Sequence, residues 1–391
     1  MKIFQIAPIW YPISSDITQG SIERVALYLD DEFTKRGNYS IVAASGDSRI
    51  SGELFPSVPA CTSSFGLKYH FQQDKIHISK ILERILTDDV DVVCDHICLA
   101  FRDEYLKTNI KTPFLTTIHG DDVNKISRIK RIRKLEKDGR NVYFHALSNS
   151  QKNLMEDAGI KVEGVIYHGI PIEQFEFREE KQNYLLWLGR ITDLKGTDLA
   201  IKLSQKSGIP LIIAGRVYSD SRNFYSEKVG PFLTYAIEES RNMSVSIQNE
   251  VKKDDFLKSL DAGNRTLKRG EIVFLGPVNN VQKTILYKNA RAFLMPNRWN
   301  EPFGLVMIEA MACGTPVVGT DRGSINELVE HGKTGFVIPF GDEDEIVKNI
   351  EESIGNIDMI SPMDCRRRVE ENFTIEKEAD NYLNLFRRIK R

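Results

Sequence analysis

The chain has 391 residues, 41% of them apolar, which is enough for two domains that each bury a core. Its 53 Lys and Arg balance 55 Asp and Glu to a formal net charge of −2, which argues against a dedicated nucleic-acid binder. No run approaches membrane-spanning length, MKIFQIAPIWYPI lacks the apolar core of a secretion signal, and five scattered cysteines suit a reduced, cytoplasmic protein.

Apolar, β-rich runs occur at 3–7, 40–44, 90–94, 114–118, 142–147 and 165–167, separated by helical stretches. Strands of this kind, apolar without alternation, imply a parallel sheet covered by helices on both faces. A second series follows at 184–188, 211–214, 272–275, 292–295, 316–319 and 335–338. The expected architecture is α/β, with two Rossmann-like, doubly wound domains at 1–172 and 173–370. The joint falls in the charged stretch 171–183, and ligands sit beyond the carboxyl ends of the strands. Residues 375, 379, 382, 383, 386 and 389 are apolar at helical spacing and predict a tail helix over 371–391 with one face ready for burial. Residues 234–270 form an added polar segment that the sequence leaves without a role.

Several strand ends carry chemistry. The loop after the first strand holds Gly20, which permits close backbone approach to a diphosphate or an acceptor. His96 ends one strand and is a candidate for lining an acceptor pocket. In Thr116-Thr117-Ile118-His119-Gly120-Asp121, His119 stands at a strand's carboxyl end before a glycine and is the strongest single candidate of the first domain; Asp121 is a second acceptor candidate. His70, His77, His145, His168 and His331 are given no role. Cys94-Asp95-His96-Ile97-Cys98 lacks a second ligand pair, so no metal site is expected. The run from Lys125 to Lys134, KISRIKRIRK, places isoleucines at 126, 129 and 132 between cations. It is either a solvated amphipathic helix or a surface for peripheral contact with anionic lipid. In the second series, Gly189-Arg190 and Lys195-Gly196 put two cations at one strand end, and Arg216 ends the next strand.

The stretch 297–318, NRWNEPFGLVMIEAMACGTPVV, organises the whole. It leaves a strand, passes a loop with Glu301, and enters a short helix that carries Glu309 and ends at Gly314. Phe303, Gly304 and Leu305 present backbone N–H groups at a helix N-terminus, which suits a phosphate. A carboxylate beside that phosphate would repel it, so the two glutamates more reasonably accept from hydroxyls of a sugar and a ribose. Sugar, diphosphate, nucleoside is the ligand shape that results.

Glu301-Pro302-Phe303-Gly304 through Glu309 resembles the hallmark of retaining family-4 glycosyltransferases with the GT-B fold. Gly189-Arg190 with Lys195-Gly196, and Thr116 to Gly120, are similar to two further elements of that family. Gly20-Ser21-Ile22-Glu23 departs from its usual Gly-Gly pair, and His168 stands where asparagine is common. The resemblance implies transfer of a sugar from a UDP-, GDP-, ADP- or dTDP-sugar to an acceptor hydroxyl with α stereochemistry and without a metal or other cofactor. It implies that Arg190 and Lys195 hold the donor diphosphate, that Glu301 and His119 lie at the transferred sugar, and that Glu309 meets the ribose. It also implies an acceptor-binding first domain, a donor-binding second domain, and a tail helix that returns to the first. A glycoside hydrolase is a poorer reading: its carboxylates stand about 5–9.5 Å apart, whereas a helix would separate residues 301 and 309 by about 12 Å. A GT-B phosphorylase or epimerase, or a nucleotide-sugar-binding protein without transferase activity, remain as alternatives.

Overall fold

The computed structural model describes residues 1–16, 20–120, 131, 134–135, 137–236 and 252–390. Contacts divide the chain into two units, Met1–Pro171 with Phe373–Arg391, and Ile172–Asn372. Asp121 and most of the basic run lie outside the described residues; only Arg131 and Lys134 of that run are within them.

The first unit is built on strands β1 (Lys2–Ile6), β2 (Tyr39–Ser45), β3 (Glu53–Val58), β4 (Val92–Asp95), β5 (Phe114–Thr117), β6 (Val142–Ala146) and β7 (Val162–Val165). They lie in the order β3-β2-β1-β4-β5-β6-β7, every neighbouring pair parallel. β4 and β5 are buried at every residue, as expected of strands covered on both faces. Their apolar side chains join Ile78, Ile81, Tyr105 and Met155 in one core. The strand order turns back between β1 and β4, which makes that gap the switch point where loops diverge and leave room for a ligand.

The tail helix, Ile375–Ile389, belongs to this first unit. Its buried face includes Ile375, Ala379, Tyr382, Leu383, Phe386 and Ile389, the stripe expected from spacing. Phe33, on the helix Ser21–Lys35, meets Tyr382 and Phe386 with ring centroids 6.4 and 5.9 Å apart. Arg36 fastens the exposed side, donating to Asp380 at 2.5 Å and to the Glu376 carbonyl at 2.9 Å.

The second unit repeats the plan with β8 (Leu185–Leu188), β9 (Leu211–Ala214), β10 (Tyr235–Ala236), β11 (Ile272–Phe274), β12 (Ala292–Met295), β13 (Val317–Thr320) and β14 (Gly335–Ile338). Their order is β10-β11-β9-β8-β12-β13-β14, again all parallel, with the reversal between β8 and β12. The strands carrying Arg190 and Glu301 at their ends are thus neighbours across the switch point.

Two strands escaped the sequence reading, and both are sheet edges. β3 carries Pro56 and two polar residues, a composition an edge tolerates and a central strand does not. β10 is two residues long, within the polar segment; a helix, Lys253–Asp261, follows the undescribed part of it. The stretch 171–183, expected as a joint, is largely bound into the second unit. Lys181 donates to the carbonyls of Lys288 and Cys313, and the Gln182 amide reaches the Leu260 carbonyl.

Candidate active site

In the second unit, β8 delivers Gly189 and Arg190, and a 3₁₀ turn, Asp193–Lys195, follows. The loop after β12 carries Asn297, Arg298, Trp299 and Glu301. Arg298 clasps the two together. It donates to both oxygens of Asp198 at 2.8 Å and to the Asp193 carbonyl at 2.6 Å, while its own N–H meets the Leu194 carbonyl at 2.8 Å. Bidentate guanidinium–carboxylate geometry resists rotation. The result is that Lys195 Nζ stands 2.5 Å from Glu301 Oε2 and 4.2 Å from the Trp299 ring centroid. Asn297 Nδ2 and Trp299 Nε1 also donate to that same oxygen, each at 3.2 Å. Three donors on one oxygen fix the carboxylate in place.

The backbone of Glu301 is pinned from the other side. Its N–H reaches the Arg322 carbonyl at 3.4 Å and its carbonyl accepts from Ser324 N–H at 2.9 Å, a one-residue bridge to Gly323. Gly323 has φ 76°, and a Cβ there would lie 2.2 Å from the Glu301 carbonyl oxygen, so only glycine allows the approach. Ser324 Oγ donates to the Phe303 carbonyl at 2.5 Å. The helix Leu305–Ala312 then begins after Gly304, with residues 304–306 partly open to solvent and Phe303 buried. Its first-turn N–H groups have no partner within the helix.

Arg190 stands apart from this pair. It is half exposed, bonds Asp220, and lies over the Tyr218 ring at 4.7 Å; Arg216 flanks the same ring at 5.6 Å. The Arg190 guanidinium holds Asp220 below the usual carboxylate range. Glu309 is also placed differently from expectation. It is 0% exposed, with Oε1 accepting from Lys283 at 2.7 Å and Oε2 from Tyr287 at 3.0 Å. Each carboxylate oxygen has two lone pairs, so one donor on each does not bar a further one.

In the first unit Gly20, at φ 94°, opens the helix Ser21–Lys35, and Glu23 is buried behind the loop. His119 follows β5 and does not stand alone. Its Nε2 is 3.2 Å from His96 Nδ1, and its ring lies 5.5 Å from the His168 ring at an interplanar angle of 7°. His145 Nε2 is 2.7 Å from Thr117 Oγ1 and 3.0 Å from the Tyr382 hydroxyl. Four histidines thus gather at the carboxyl ends of β4 to β7, His145 within β6 and the others just beyond their strands. His145 and His168 had no context in the sequence because their common neighbour is the tail helix, more than 200 residues away. Asn297, Trp299, Tyr218 and Asp220 were missed for the same reason: each matters through a contact, not a motif.

Burial, then the neighbouring histidines, push His119 well below its ordinary pKa, and His96 and His145 to about 3. All three rings are neutral near pH 7. A histidine with a depressed folded pKa stabilises the fold above the unfolded value of 6.5, and that contribution is lost as pH falls toward 3. Glu23, pushed up to about 7 by burial, acts oppositely and costs stability as pH rises from 4.5 to 7. The direct check is imidazole ¹⁵N spectroscopy between pH 8 and 5. His96, His119 and His145 are expected to stay uncharged throughout, and a midpoint near 6.5 for any of them would contradict this account.

Comparison with known proteins places these features. The family model for glycosyl transferases group 1 matches residues 170–371. The O-antigen chain mannosyltransferase C of Escherichia coli is 21% identical over 410 aligned positions, covering 99% of this chain and 98% of that protein. Among solved structures, the sucrose-phosphate synthase of Thermosynechococcus elongatus superposes with a TM-score of 0.72 at 16% identity, covering 100% and 99% of the two chains. Anabaena HepE in complex with UDP and glucose gives 0.68 at 17% identity, covering 99% and 100%. At these identities the structural matches speak to the fold, which is GT-B. By its sequence and its two parallel sheets, the chain belongs to the glycosyl transferases group 1 family and is a glycosyltransferase.

Proposed function

We propose that the protein moves a hexosyl group from a nucleotide-sugar to an acceptor hydroxyl, with retention of the α configuration, in assembly of a glycan, a glycolipid or a secondary metabolite. The observation that carries this reading is the Lys195–Glu301 pair beside the N-terminus of the helix Leu305–Ala312. A nucleoside diphosphate leaving a sugar gains charge as the bond breaks. Lys195, Arg190 and the amides of Gly304 and Leu305 would answer that charge. Glu301, fixed by three donors, would accept from a sugar hydroxyl with its other oxygen. The names of relatives agree in kind: one is a mannosyltransferase and another is complexed with UDP and glucose.

In this reading the second unit binds the donor and the first the acceptor. Three bonds change: the anomeric carbon leaves a phosphate oxygen and joins the acceptor oxygen, and the acceptor O–H breaks, its proton passing to the departing phosphate or to solvent. His119, held neutral, offers one ring nitrogen as donor or acceptor to a sugar hydroxyl near that carbon. His96, 2% exposed, supports His119 more directly than it could line an acceptor pocket. Glu309 would accept from a ribose hydroxyl with a second lone pair of one oxygen.

The test is nucleoside-diphosphate affinity beside steady-state kinetics, after a thermal-shift panel of UDP-, GDP-, ADP- and dTDP-sugars selects the donor. Lys195→Ala and Arg190→Ala should weaken nucleoside-diphosphate binding by about 10–100-fold, as loss of a charged hydrogen bond implies. Glu301→Gln and His119→Ala should spare that affinity and lower kcat by about 100-fold. Glu309→Gln should raise the donor KM. Wild-type affinity in both cation variants, or loss of affinity in Glu301→Gln with kcat kept, would refute the placement.

Two companion readings are tested separately. Because the cations can answer the diphosphate charge, transfer is proposed to need no metal. Activity lost in EDTA and restored by manganese would overturn that. No helix among the described residues is long and apolar enough to cross a membrane, and the run from Lys125 to Lys134 is proposed as a peripheral lipid contact. Sedimentation should then require anionic vesicles and fall with salt; equal binding to neutral vesicles, or none, speaks against it.

A further inference from the structure

We propose that Glu378, on the tail helix, and His168, beyond β7, are positioning residues for His119, so that the tail helix is part of the reacting centre. The inference rests on His119 acting in transfer. It starts from a close approach that the sequence permits at one residue. A Cβ at Gly169 would lie 2.2 Å from the Thr374 carbonyl oxygen. Glycine there lets the turn after β7 press against the start of the helix, where Ile170 exchanges backbone hydrogen bonds of 3.0 and 3.1 Å with Phe373 and Ile375.

That approach carries a carboxylate inward. Glu378 is 1% exposed, and its two oxygens have separate duties. Oε2 accepts from Gly169 N–H at 2.7 Å and Oε1 from His168 Nδ1–H at 2.7 Å. An ionised carboxylate only accepts, so the proton of His168 is fixed on Nδ1 and the ring plane with it. The His119 ring lies nearly parallel to that plane, and its edge meets His96 Nδ1. His96 in turn lies 3.4 Å from the Cys94 thiol, which burial keeps protonated. One contact sets the plane of His119 and the other its edge. A second tie from the same helix, the Tyr382 hydroxyl to Thr117 Oγ1 at 3.2 Å, steadies the strand end two residues before it. None of this is needed merely to dock the helix, whose apolar face is already buried.

Glu378→Gln tests the idea, because an amide cannot accept from both N–H groups at once. In the full chain it should lower kcat by about tenfold or more, with donor KM and nucleoside-diphosphate affinity within about twofold. Turnover is read as nucleoside diphosphate released from the nucleotide-sugar that the panel selects. Imidazole ¹⁵N shifts of His168 should move from one tautomer toward a mixture, and those of His119 should change as its stacked neighbour moves. In a His119→Ala background, Glu378→Gln should cost nothing further. His168→Asn keeps an N–H for the carboxylate and removes the ring, so it separates the stack from the tether and should also lower kcat; it serves if Glu378→Gln fails to fold. Folded variants with wild-type kcat and unchanged His119 shifts, or losses that add to that of His119→Ala, would overturn the inference while leaving the proposed function standing. Wild-type turnover in His119→Ala alone would instead remove the role of His119 on which the inference rests.

Discussion

The contact on which the second unit's chemistry depends is the ammonium of Lys195 on one oxygen of Glu301. Both side chains are largely withdrawn from water, at 23% and 8% exposure, so neither charge is well solvated by itself. Exposed ion pairs contribute little, but this one sits among further donors and over an indole ring, where geometry is held rather than averaged. Arg298 makes it so. By fastening the Asp193–Lys195 turn to the loop after β12, it brings together two residues 106 positions apart in the chain. Gly323 closes the arrangement from behind.

The first unit solves a comparable problem with imidazole rings. His119 emerges from the end of a short strand and is constrained by neighbouring rings, a buried thiol and a helix from the far end of the chain. Burial keeps His96, His119 and His145 uncharged, which would suit the role proposed for His119, hydrogen-bonding a sugar without repelling a cationic anomeric centre. The two units therefore offer different chemistry. One carries an ion pair beside helix amides, the other a cluster of buried imidazoles.

Much of this was legible in the sequence, and the reasons differ by feature. Parallel strands buried on both faces read as unbroken apolar runs, so eleven of fourteen strands were visible in place; β7 lies at 162–165, where the run was read at 165–167, and the edges β3 and β10 were not seen. The stripe on the tail helix was equally plain, because spacing alone encodes a face. Lys195 and Glu301 were marked by local words at strand ends. Their ion pair was not, since nothing local announces Arg298 as the clasp. Glu309 shows another limit: its spacing from Glu301 suggested a ligand contact, but nothing local announced that Lys283 and Tyr287 from the preceding helix donate to it. His168 and Glu378 are 210 residues apart and could be joined only by the fold.

The proposed transfer has one outcome that binding data cannot imitate, the configuration of the new bond. With the selected nucleotide-sugar and an acceptor that turns over, the anomeric configuration of the product can be read directly by NMR. The account predicts an α-linked product from an α-configured donor, with one nucleoside diphosphate released for each bond formed. A β-linked product, or free sugar with no transfer to any acceptor, would contradict it.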